Sequence, residues 1–295
     1  MSDLKGTGVA LITPFTENGA VDTNALTELV NFNIEAGVDY LVVLGTTAET
    51  VTLNASEKQM IIDTVVLATK KRVPLVLGMG SNNTAALIED LQRQDLSDFD
   101  AILSVTPYYN KPSQRGLISH FKAVAESTSK DIILYNVPGR TGVDMSVDTI
   151  VELSTIPNII GIKEAAGSIE KIQQLVARTE EDFLVISGDD ATASQTVLVG
   201  GDGVISVLGQ ALPKEFSMMI NAGLNGVIPL AKELDGQLAA LSELIFEEGN
   251  PSGIKVLCSH LGYGTAKVRL PLVEASSGLE SKLITALELQ KSLSL

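Results

Sequence analysis

Cysteine, histidine and tryptophan are nearly absent from this chain, and each scarcity excludes a class of chemistry. The 295 residues include one cysteine, two histidines and no tryptophan. A single cysteine cannot form an internal disulfide, and Cys258 lies in an apolar run, so we predict a buried structural thiol. His120 and His260 lack metal-ligand spacing to each other or to the cysteine. Zinc sites and Ser-His-Asp triads are therefore poorly supported, and a catalyst must use other groups.

Positive charge is also scarce, with 21 Lys and Arg against 36 Asp and Glu and a net charge of -15. Such a protein repels polyphosphate, and no cluster of basic residues with interleaved aromatics opposes that repulsion. Residues 1–8 lack a basic region followed by an apolar run, and apolar stretches such as Leu41–Leu44 are too short to span a bilayer. The sequence therefore predicts a soluble, cytoplasmic protein with no nucleic-acid or membrane partner.

Short β-branched apolar runs alternate with longer amphipathic segments, which is typical of parallel strands joined by crossover helices. We predict eight strands, at residues 9–15, 40–45, 73–80, 101–106, 132–136, 159–163, 183–187 and 203–208. Helices are predicted between them, for example Thr23–Ala36 and Ser56–Thr69, the second with Ser56 as its N-cap. About eight such units match an α/β fold of the (β/α)8 TIM-barrel type better than a doubly wound sheet, although periodicity alone leaves both open.

The pattern changes after the eighth strand. From Lys214 onward it is helical, with breaks at Gly249–Gly253 and Arg269–Pro271, and no low-complexity linker divides the chain. We therefore predict a catalytic barrel over residues 1–213, followed over residues 214–295 by the barrel-closing helix and a helical C-terminal region.

Lys163 ends the apolar sixth strand, Ile159-Ile160-Gly161-Ile162-Lys163. The reactive groups of a TIM barrel come from the carboxyl ends of its strands. A lysine pointing into the barrel would lose hydration of its ammonium form, and the neutral amine attacks ketones to give a Schiff base. A lysine extending from the strand end into solvent is the alternative interpretation.

Hydroxyl groups follow other predicted strands and could converge near Lys163. Thr46, Tyr109 and Tyr135 would then form a proton relay that needs no histidine. Each also has an ordinary explanation, because Thr46-Thr47 could cap the next segment, Tyr108-Tyr109 could be core or interface aromatics, and Tyr135 could complete a strand.

Other polar residues after the strands could bind a small substrate. Arg140 lies in a turn with proline and glycine, where its planar guanidinium suits a carboxylate, although a surface arginine is equally common. Residues 187–190 and 204–206 could supply backbone groups near the substrate. Asp189 and Asp190 could instead cap the following helix.

Together these motifs resemble the pyruvate-dependent class I aldolase family, which includes N-acetylneuraminate lyases, keto-deoxy sugar-acid aldolases and dihydrodipicolinate synthases. The resemblance runs from Gly8-Val9-Ala10 through Asn250-Pro251 to Arg269-Leu270-Pro271-Leu272. Three motifs look most like the dihydrodipicolinate synthase branch: Thr46-Thr47, Tyr108-Tyr109-Asn110-Lys111-Pro112 and Val137-Pro138-Gly139-Arg140-Thr141-Gly142.

The resemblance implies a lyase that condenses pyruvate with L-aspartate 4-semialdehyde towards diaminopimelate and lysine, without a metal or organic cofactor. Lys163 would form the imine, Tyr135 would transfer protons, and Thr46 would link Tyr135 to Tyr109. In the family the tyrosine matching Tyr109 reaches a neighbouring subunit's site, so a homodimer or a homotetramer is expected.

The resemblance also assigns substrate-binding roles. Thr47 would bind the pyruvate carboxylate, Arg140 the carboxylate of the aldehyde, and Gly188 and Ile205 would place backbone carbonyls nearby. Arg140 separates this branch from the sugar-acid aldolases, which use the same imine and remain an alternative. A catalytically inert ligand-binding barrel is the other alternative, and an imine-forming Lys163 beside a proton relay argues against it.

The chain departs from the family at several positions. Ala48 replaces a glycine, which would strain the loop if that position requires positive φ. Ala55, Lys58 and Ala86 stand where lysine-sensitive relatives carry two histidines and a glutamate, whereas Asn82 and Tyr108 are kept. We therefore expect L-lysine to inhibit weakly or not at all.

Overall fold

The computed structural model describes residues 4–293 and contains a closed barrel of eight parallel strands in the order β1 to β8. The strands are β1 Gly6–Ala10, β2 Tyr40–Val43, β3 Leu75–Gly78, β4 Ala101–Val105, β5 Asp131–Asn136, β6 Ile159–Glu164, β7 Leu184–Ser187 and β8 Gly203–Ser206. Strand β8 pairs in parallel with β1, which closes the sheet. The predicted (β/α)8 barrel is therefore confirmed, and the open doubly wound sheet is excluded.

Helices surround the barrel and continue beyond it. Those up to the eighth strand unit are α1 Thr23–Glu35, α2 Ala55–Thr69, α3 Thr84–Arg93, α4 Gln114–Glu126, the short α5 Pro138–Thr141, α6 Val147–Leu153, α7 Ile169–Arg178, α8 Ala193–Leu198 and α9 Pro213–Leu224. Then come α10 Ile228–Leu244, α11 Ser252–His260 and α12 Ser277–Leu293. Across residues 4–293, no helix has both the length and the apolar character needed to cross a bilayer. The division of the chain at residue 213 stays a prediction.

Every strand differs from its predicted bounds at one end or both, and the largest difference is at β1, which ends at Ala10 rather than at Phe15. Two differences have a clear physical cause. Strand β1 begins at Gly6 rather than at Val9, and a Cβ atom added at Gly8 would lie 2.2 Å from the ring of Tyr40. Gly8 is therefore required for close packing inside the barrel. Helix α2 is capped by Asn54 instead of Ser56, because Asn54 and the glutamate three residues later exchange side-chain and backbone hydrogen bonds in a capping box.

Apolar side chains form two buried layers. The first fills the barrel axis and contains Tyr40, Val42, Val76, Leu103, Ile133, Leu184, Ile186 and Ile205. The second lies between strands and helices and extends to α12 through Leu279, Leu283 and Leu287. Strand side chains alternate between these layers, so neighbouring residues of one strand lie in different buried layers.

Aspartates fix the amino ends of the strands, opposite the reactive end. The carboxylate of Asp39 accepts the backbone N–H of Thr7 at 2.7 Å, and Asp202 accepts that of Val185 at 2.9 Å. Asp100 accepts the N–H of Leu75 at 2.9 Å in the same way. Each aspartate precedes one strand and binds the neighbouring strand, which holds the barrel's register.

Candidate active site

A cavity of about 580 Å³ opens at the carboxyl ends of the strands. Its walls include six of the residues predicted to act in the site, namely Thr46, Thr47, Tyr135, Arg140, Lys163 and Gly188. Two predicted residues, Tyr109 and Ile205, are not among its lining residues. The structure thus brings most of the separate strand-end motifs to one place.

Lys163 points into this cavity from the end of β6. Its side chain is 5% exposed, and its Nζ lies 4.4 Å from the centre of the Tyr135 ring on the paired strand β5. Within residues 4–293 no hydrogen bond or ion pair engages this Nζ. Lys163 is therefore not the solvent-extended lysine of the alternative interpretation, and its amine is free to meet a ligand.

Gly188 makes room for the lysine. A Cβ atom added at this position would lie 3.0 Å from Cγ and Cε of Lys163 and 2.7 Å from Cβ of Ala165. The absence of a side chain after β7 therefore allows Lys163 to run along the barrel axis. Any larger residue here would displace the amine.

Glu164, the next residue of β6, points the other way, into the layer outside the barrel. Its carboxylate accepts hydrogen bonds from Asn136 Nδ2 and from the backbone N–H of Ala166, and it pairs with Lys171 at 3.0 Å. Burial raises the pKa of Glu164, while Lys171 and the hydrogen bonds oppose this rise. This network anchors the end of β6 and with it the neighbouring Lys163.

The loop after β2 carries Thr46 and Thr47 in a 3-10 turn, Thr46–Ala48. Neither threonine caps the next segment, because the turn Thr50–Thr52 has no side-chain cap and α2 is capped by Asn54, so the capping interpretation is wrong. The left-handed conformation in this loop falls on Leu44, with φ 56°, and on Glu49, with φ 54°, and Ala48 is not among the residues with positive φ. Alanine at position 48 is therefore accommodated without the predicted strain, and its carbonyl accepts the Thr13 hydroxyl at 2.7 Å.

Within residues 4–293 no hydrogen bond joins the three hydroxyl groups of the predicted proton relay. Tyr135 is 7% exposed in the cavity, and Thr46 is exposed on the cavity wall. Tyr109 is 89% exposed, with φ 72°, and lies outside the cavity of its own chain, whereas Tyr108 contributes to the wall. The relay linking Thr46 to Tyr135 and Tyr109 stays a prediction.

Arg140 sits on the cavity rim in the short helix α5. Its backbone N–H bonds to Val137 O, and Gly142 ends the helix in the left-handed conformation with its N–H on Pro138 O. No ion pair or hydrogen bond involves the Arg140 guanidinium in the described part of the chain. The turn thus presents a free planar donor set to the cavity.

The two aspartates after β7 have structural contacts. Asp189 accepts the N–H of Ala191, as the capping interpretation expected, whereas the buried Asp190 accepts the backbone N–H groups of Val207 and Leu208. Burial raises the pKa of Asp190, against the hydrogen bonds that it receives. Ile205 places its side chain in the barrel core at 1% exposure, and its predicted carbonyl role stays a prediction.

Residues from the C-terminal region reach the cavity, and sequence reasoning assigned them no role. Phe246 and Asn250 line the cavity, and Asn250 Nδ2 donates to the Thr47 hydroxyl at 3.0 Å. A few residues farther on, Lys255 pairs with Glu49 in a site where both side chains are almost fully buried. The only signal in the sequence was the family motif Asn250-Pro251.

The remaining reactive side chains lie elsewhere. Cys258 is fully buried, as predicted, and burial raises the pKa of its thiol to about 12. His120 packs beside Thr84, and burial lowers its pKa to about 4. Within residues 4–293 no group of three or more His, Cys, Asp or Glu side chains is arranged to hold a metal ion.

Several known proteins are similar to this chain over nearly its whole length. The model of the dihydrodipicolinate synthetase family matches residues 3–290. The 4-hydroxy-tetrahydrodipicolinate synthase of Flavobacterium psychrophilum is 50% identical over 279 residues, covering 94% of this chain and 95% of that protein. The chloride inhibited dihydrodipicolinate synthase from Acinetobacter baumannii complexed with pyruvate is 40% identical, with a TM-score of 0.95 and coverage of 98% of this chain and 99% of that one. A monomeric dihydrodipicolinate synthase variant is 34% identical, with a TM-score of 0.95 and coverage of 98% and 97%. The chain belongs to the dihydrodipicolinate synthetase family.

Proposed function

We propose that this protein condenses pyruvate with L-aspartate 4-semialdehyde through a Schiff base on Lys163, as a 4-hydroxy-tetrahydrodipicolinate synthase. The observation that carries the proposal is the Lys163 amine, buried in the cavity beside Tyr135 and free of partners within residues 4–293. An amine in such a cavity is placed to attack a small ketone rather than to stabilise the fold. Relatives that share this name cover nearly the whole chain.

The proposed reaction follows from the groups around the amine. The neutral amine of Lys163 attacks the keto carbon of pyruvate, and loss of water from the carbinolamine leaves an imine. Removal of a methyl proton gives the enamine, whose carbon bonds to the aldehyde carbon of the second substrate while the aldehyde oxygen takes up a proton. The amino group of the second substrate then attacks the imine carbon, which closes the ring and releases the Lys163 amine. The Tyr135 hydroxyl is placed to relay these protons, and Thr47 and Arg140 offer donors to the two substrate carboxylates.

Two further features belong to this proposal. Tyr109 is too exposed to serve the cavity of its own chain, so we place it in the site of a second copy, in a homodimer or a dimer of dimers. We also place the reaction in the cytoplasm. Gel filtration at several protein concentrations tests the assembly, and a monomer active at every concentration contradicts it.

Arg140→Ala is expected to lower kcat/KM for the aldehyde by roughly 10 to 10²-fold, the range expected for a lost hydrogen bond to a charged group. Imine formation with pyruvate should stay close to wild type, because within residues 4–293 no hydrogen bond joins the arginine to Lys163 or Tyr135. Steady-state kinetics with each substrate varied in turn measure the split. Arg140→Lys is the matched control, since it keeps the positive charge but not the planar guanidinium. Its kcat/KM for the aldehyde should fall between those of wild type and Arg140→Ala.

The same variant separates the two leading functions. If Arg140→Ala used the aldehyde as well as wild type does, both the role of the arginine and the preference over a sugar-acid aldolase would be lost. Turnover of keto-deoxy sugar acids by the wild-type protein, without turnover of the aldehyde, would establish the alternative directly.

L-Lysine is expected to cause little or no inhibition. Ala55 and Lys58 line a cavity of about 360 Å³ next to the active site, and Lys58 places a like charge towards the ammonium groups of the ligand. Initial rates with and without a large excess of L-lysine, at fixed substrates, test this expectation. Installing Lys58→His with Ala86→Glu should increase inhibition, and strong inhibition of the unaltered protein contradicts the expectation.

A further inference from the structure

Asn250 connects the C-terminal region to the part of the cavity that holds Thr47. It lies between α10 and α11, is 6% exposed and lines the cavity. Its Nδ2 donates to Thr47 Oγ1 at 3.0 Å across 203 residues of sequence, and Thr47 is 2% exposed. The bond therefore joins two buried side chains at the wall of the reactive site.

The direction of this bond determines what the Thr47 hydroxyl can do. A hydroxyl group has one hydrogen and two lone pairs, and the amide of Asn250 occupies a lone pair. Among residues 4–293 no acceptor takes the Thr47 hydrogen. That hydrogen therefore remains available to a ligand, and a carboxylate is the acceptor that gains most from it.

A second feature of Asn250 points to the same use. Its Oδ1 is buried and has no hydrogen-bond partner within the described residues, which is unfavourable for a carbonyl oxygen. Only the donor end of the amide is therefore engaged by the described residues, and its partner is the Thr47 hydroxyl.

The threonine loop is also held from the same region of the chain. Glu49, two residues after Thr47, pairs with Lys255 at 2.5 Å and accepts the backbone N–H of Arg269 at 2.8 Å. These contacts fix the backbone of the loop but do not touch the Thr47 hydroxyl. Asn250 is the residue that hydrogen-bonds to the Thr47 hydroxyl itself and so fixes its orientation.

We propose that Asn250 is a positioning residue that makes the Thr47 hydroxyl a donor to the carboxylate of pyruvate. This inference rests on the proposed function and assigns to the helical C-terminal region a part in substrate binding. Asn250→Asp replaces the donor by a carboxylate of the same shape, which would accept the Thr47 hydrogen and repel the substrate carboxylate.

The test measures the pyruvate concentration that gives half-maximal trapping of Lys163 by borohydride. Asn250→Ala and Thr47→Val are each expected to raise this half-maximal pyruvate concentration roughly tenfold, and Asn250→Asp should raise it further. In all three variants kcat should change much less. In the Thr47→Val background, Asn250→Ala should add no further increase, because the threonine through which Asn250 acts is gone.

Ser252→Ala is the matched control, because Ser252 lies in the same segment but donates to Val273 O at 2.7 Å, away from the cavity. It should leave trapping unchanged, so a rise shared by this variant would overturn the inference as a general effect on the segment. Additive effects of Asn250→Ala and Thr47→Val would also overturn it. Absence of any trapping in the wild-type protein would instead defeat the proposed function, so the two failures are distinguishable.

Discussion

Lys163→Arg is expected to lower kcat by roughly 10⁴-fold or more, the scale seen when a covalent nucleophile is removed from an enzyme. Arginine keeps the positive charge and most of the length, but its guanidinium stays protonated and forms no imine with a ketone. The variant therefore separates covalent catalysis from simple electrostatic binding of pyruvate. It should also lose the adduct that borohydride reduction creates between pyruvate and Lys163 in the wild-type protein.

Mass spectrometry of the digested protein measures this adduct. Wild type incubated with pyruvate and borohydride should carry the modification on the peptide containing Lys163, and omission of pyruvate should abolish it. Lys163→Ala, which removes both charge and amine, should match Lys163→Arg in rate if the imine is the whole contribution. An unmodified Lys163 during turnover, or an active arginine variant, would end the Schiff-base mechanism.

Tyr135→Phe provides a contrast in the same cavity. It keeps the ring beneath Lys163 Nζ, at 4.4 Å in the unaltered protein, and removes only the hydroxyl. The adduct should still form, whereas kcat should fall by roughly 10² to 10⁴-fold, the usual contribution of a positioned proton-transfer group. A variant with wild-type kcat would remove Tyr135 from the proton path.

Much of the fold could be predicted from the sequence because each strand and helix has its own local pattern. Strand β6 has a continuous apolar run ending in Lys163, and α1 begins where it was expected, at Thr23. Strand β1 was placed too late, because Gly6 and Gly8 have weak strand propensity. Their presence is explained by the close approach of the Tyr40 ring to Gly8 and of the Asp39 carboxylate to Gly6, and such tertiary contacts leave no local pattern.

In the site, too, residues with a local sequence pattern were predicted, and residues that depend on distant contacts were not. Thr46, Tyr135 and Lys163 were predictable because the carboxyl ends of barrel strands meet at one face. Asn250 and Lys255 were not, because their partners in the Thr46–Ala48 loop and at Glu49 lie more than two hundred positions away, with separations of 203 and 206 residues. No sequence periodicity connects the loop after β2 to Asn250, just before helix α11, or to Lys255 within it. Only the folded chain reveals these contacts.

The ion pair between Lys255 and Glu49 is the most deeply buried in the described part of the chain. Their side chains are 0% and 1% exposed, and the Nζ of Lys255 also donates to Lys267 O at 2.8 Å and lies 3.9 Å from the centre of the Phe15 ring. Burial lowers the pKa of Lys255 to about 8, although the Glu49 carboxylate opposes the shift. Desolvation therefore offsets much of the attraction within the pair.

Lys255→Met is expected to lower the free energy of unfolding by about 3–5 kcal/mol, because it leaves the Glu49 carboxylate buried without its cation. Urea denaturation at one fixed protein concentration measures the loss. The matched control is Lys122→Met, which breaks a 2.8 Å pair with Glu152 whose side chains are 47% and 49% exposed. That variant should lose no more than about 1 kcal/mol, because water already screens the pair.

Adding Glu49→Gln to Lys255→Met should recover about half or more of the lost stability, since breaking a buried pair costs more than replacing both partners. Glutamine keeps an oxygen that can accept the backbone N–H of Arg269, which Glu49 accepts at 2.8 Å, while removing the unpaired charge. Recovery would show that the loss in Lys255→Met came from the stranded carboxylate. If the double variant were as unstable as the sum of the two single variants, the stabilisation would instead lie in packing around Phe15, and the account of the pair would be wrong.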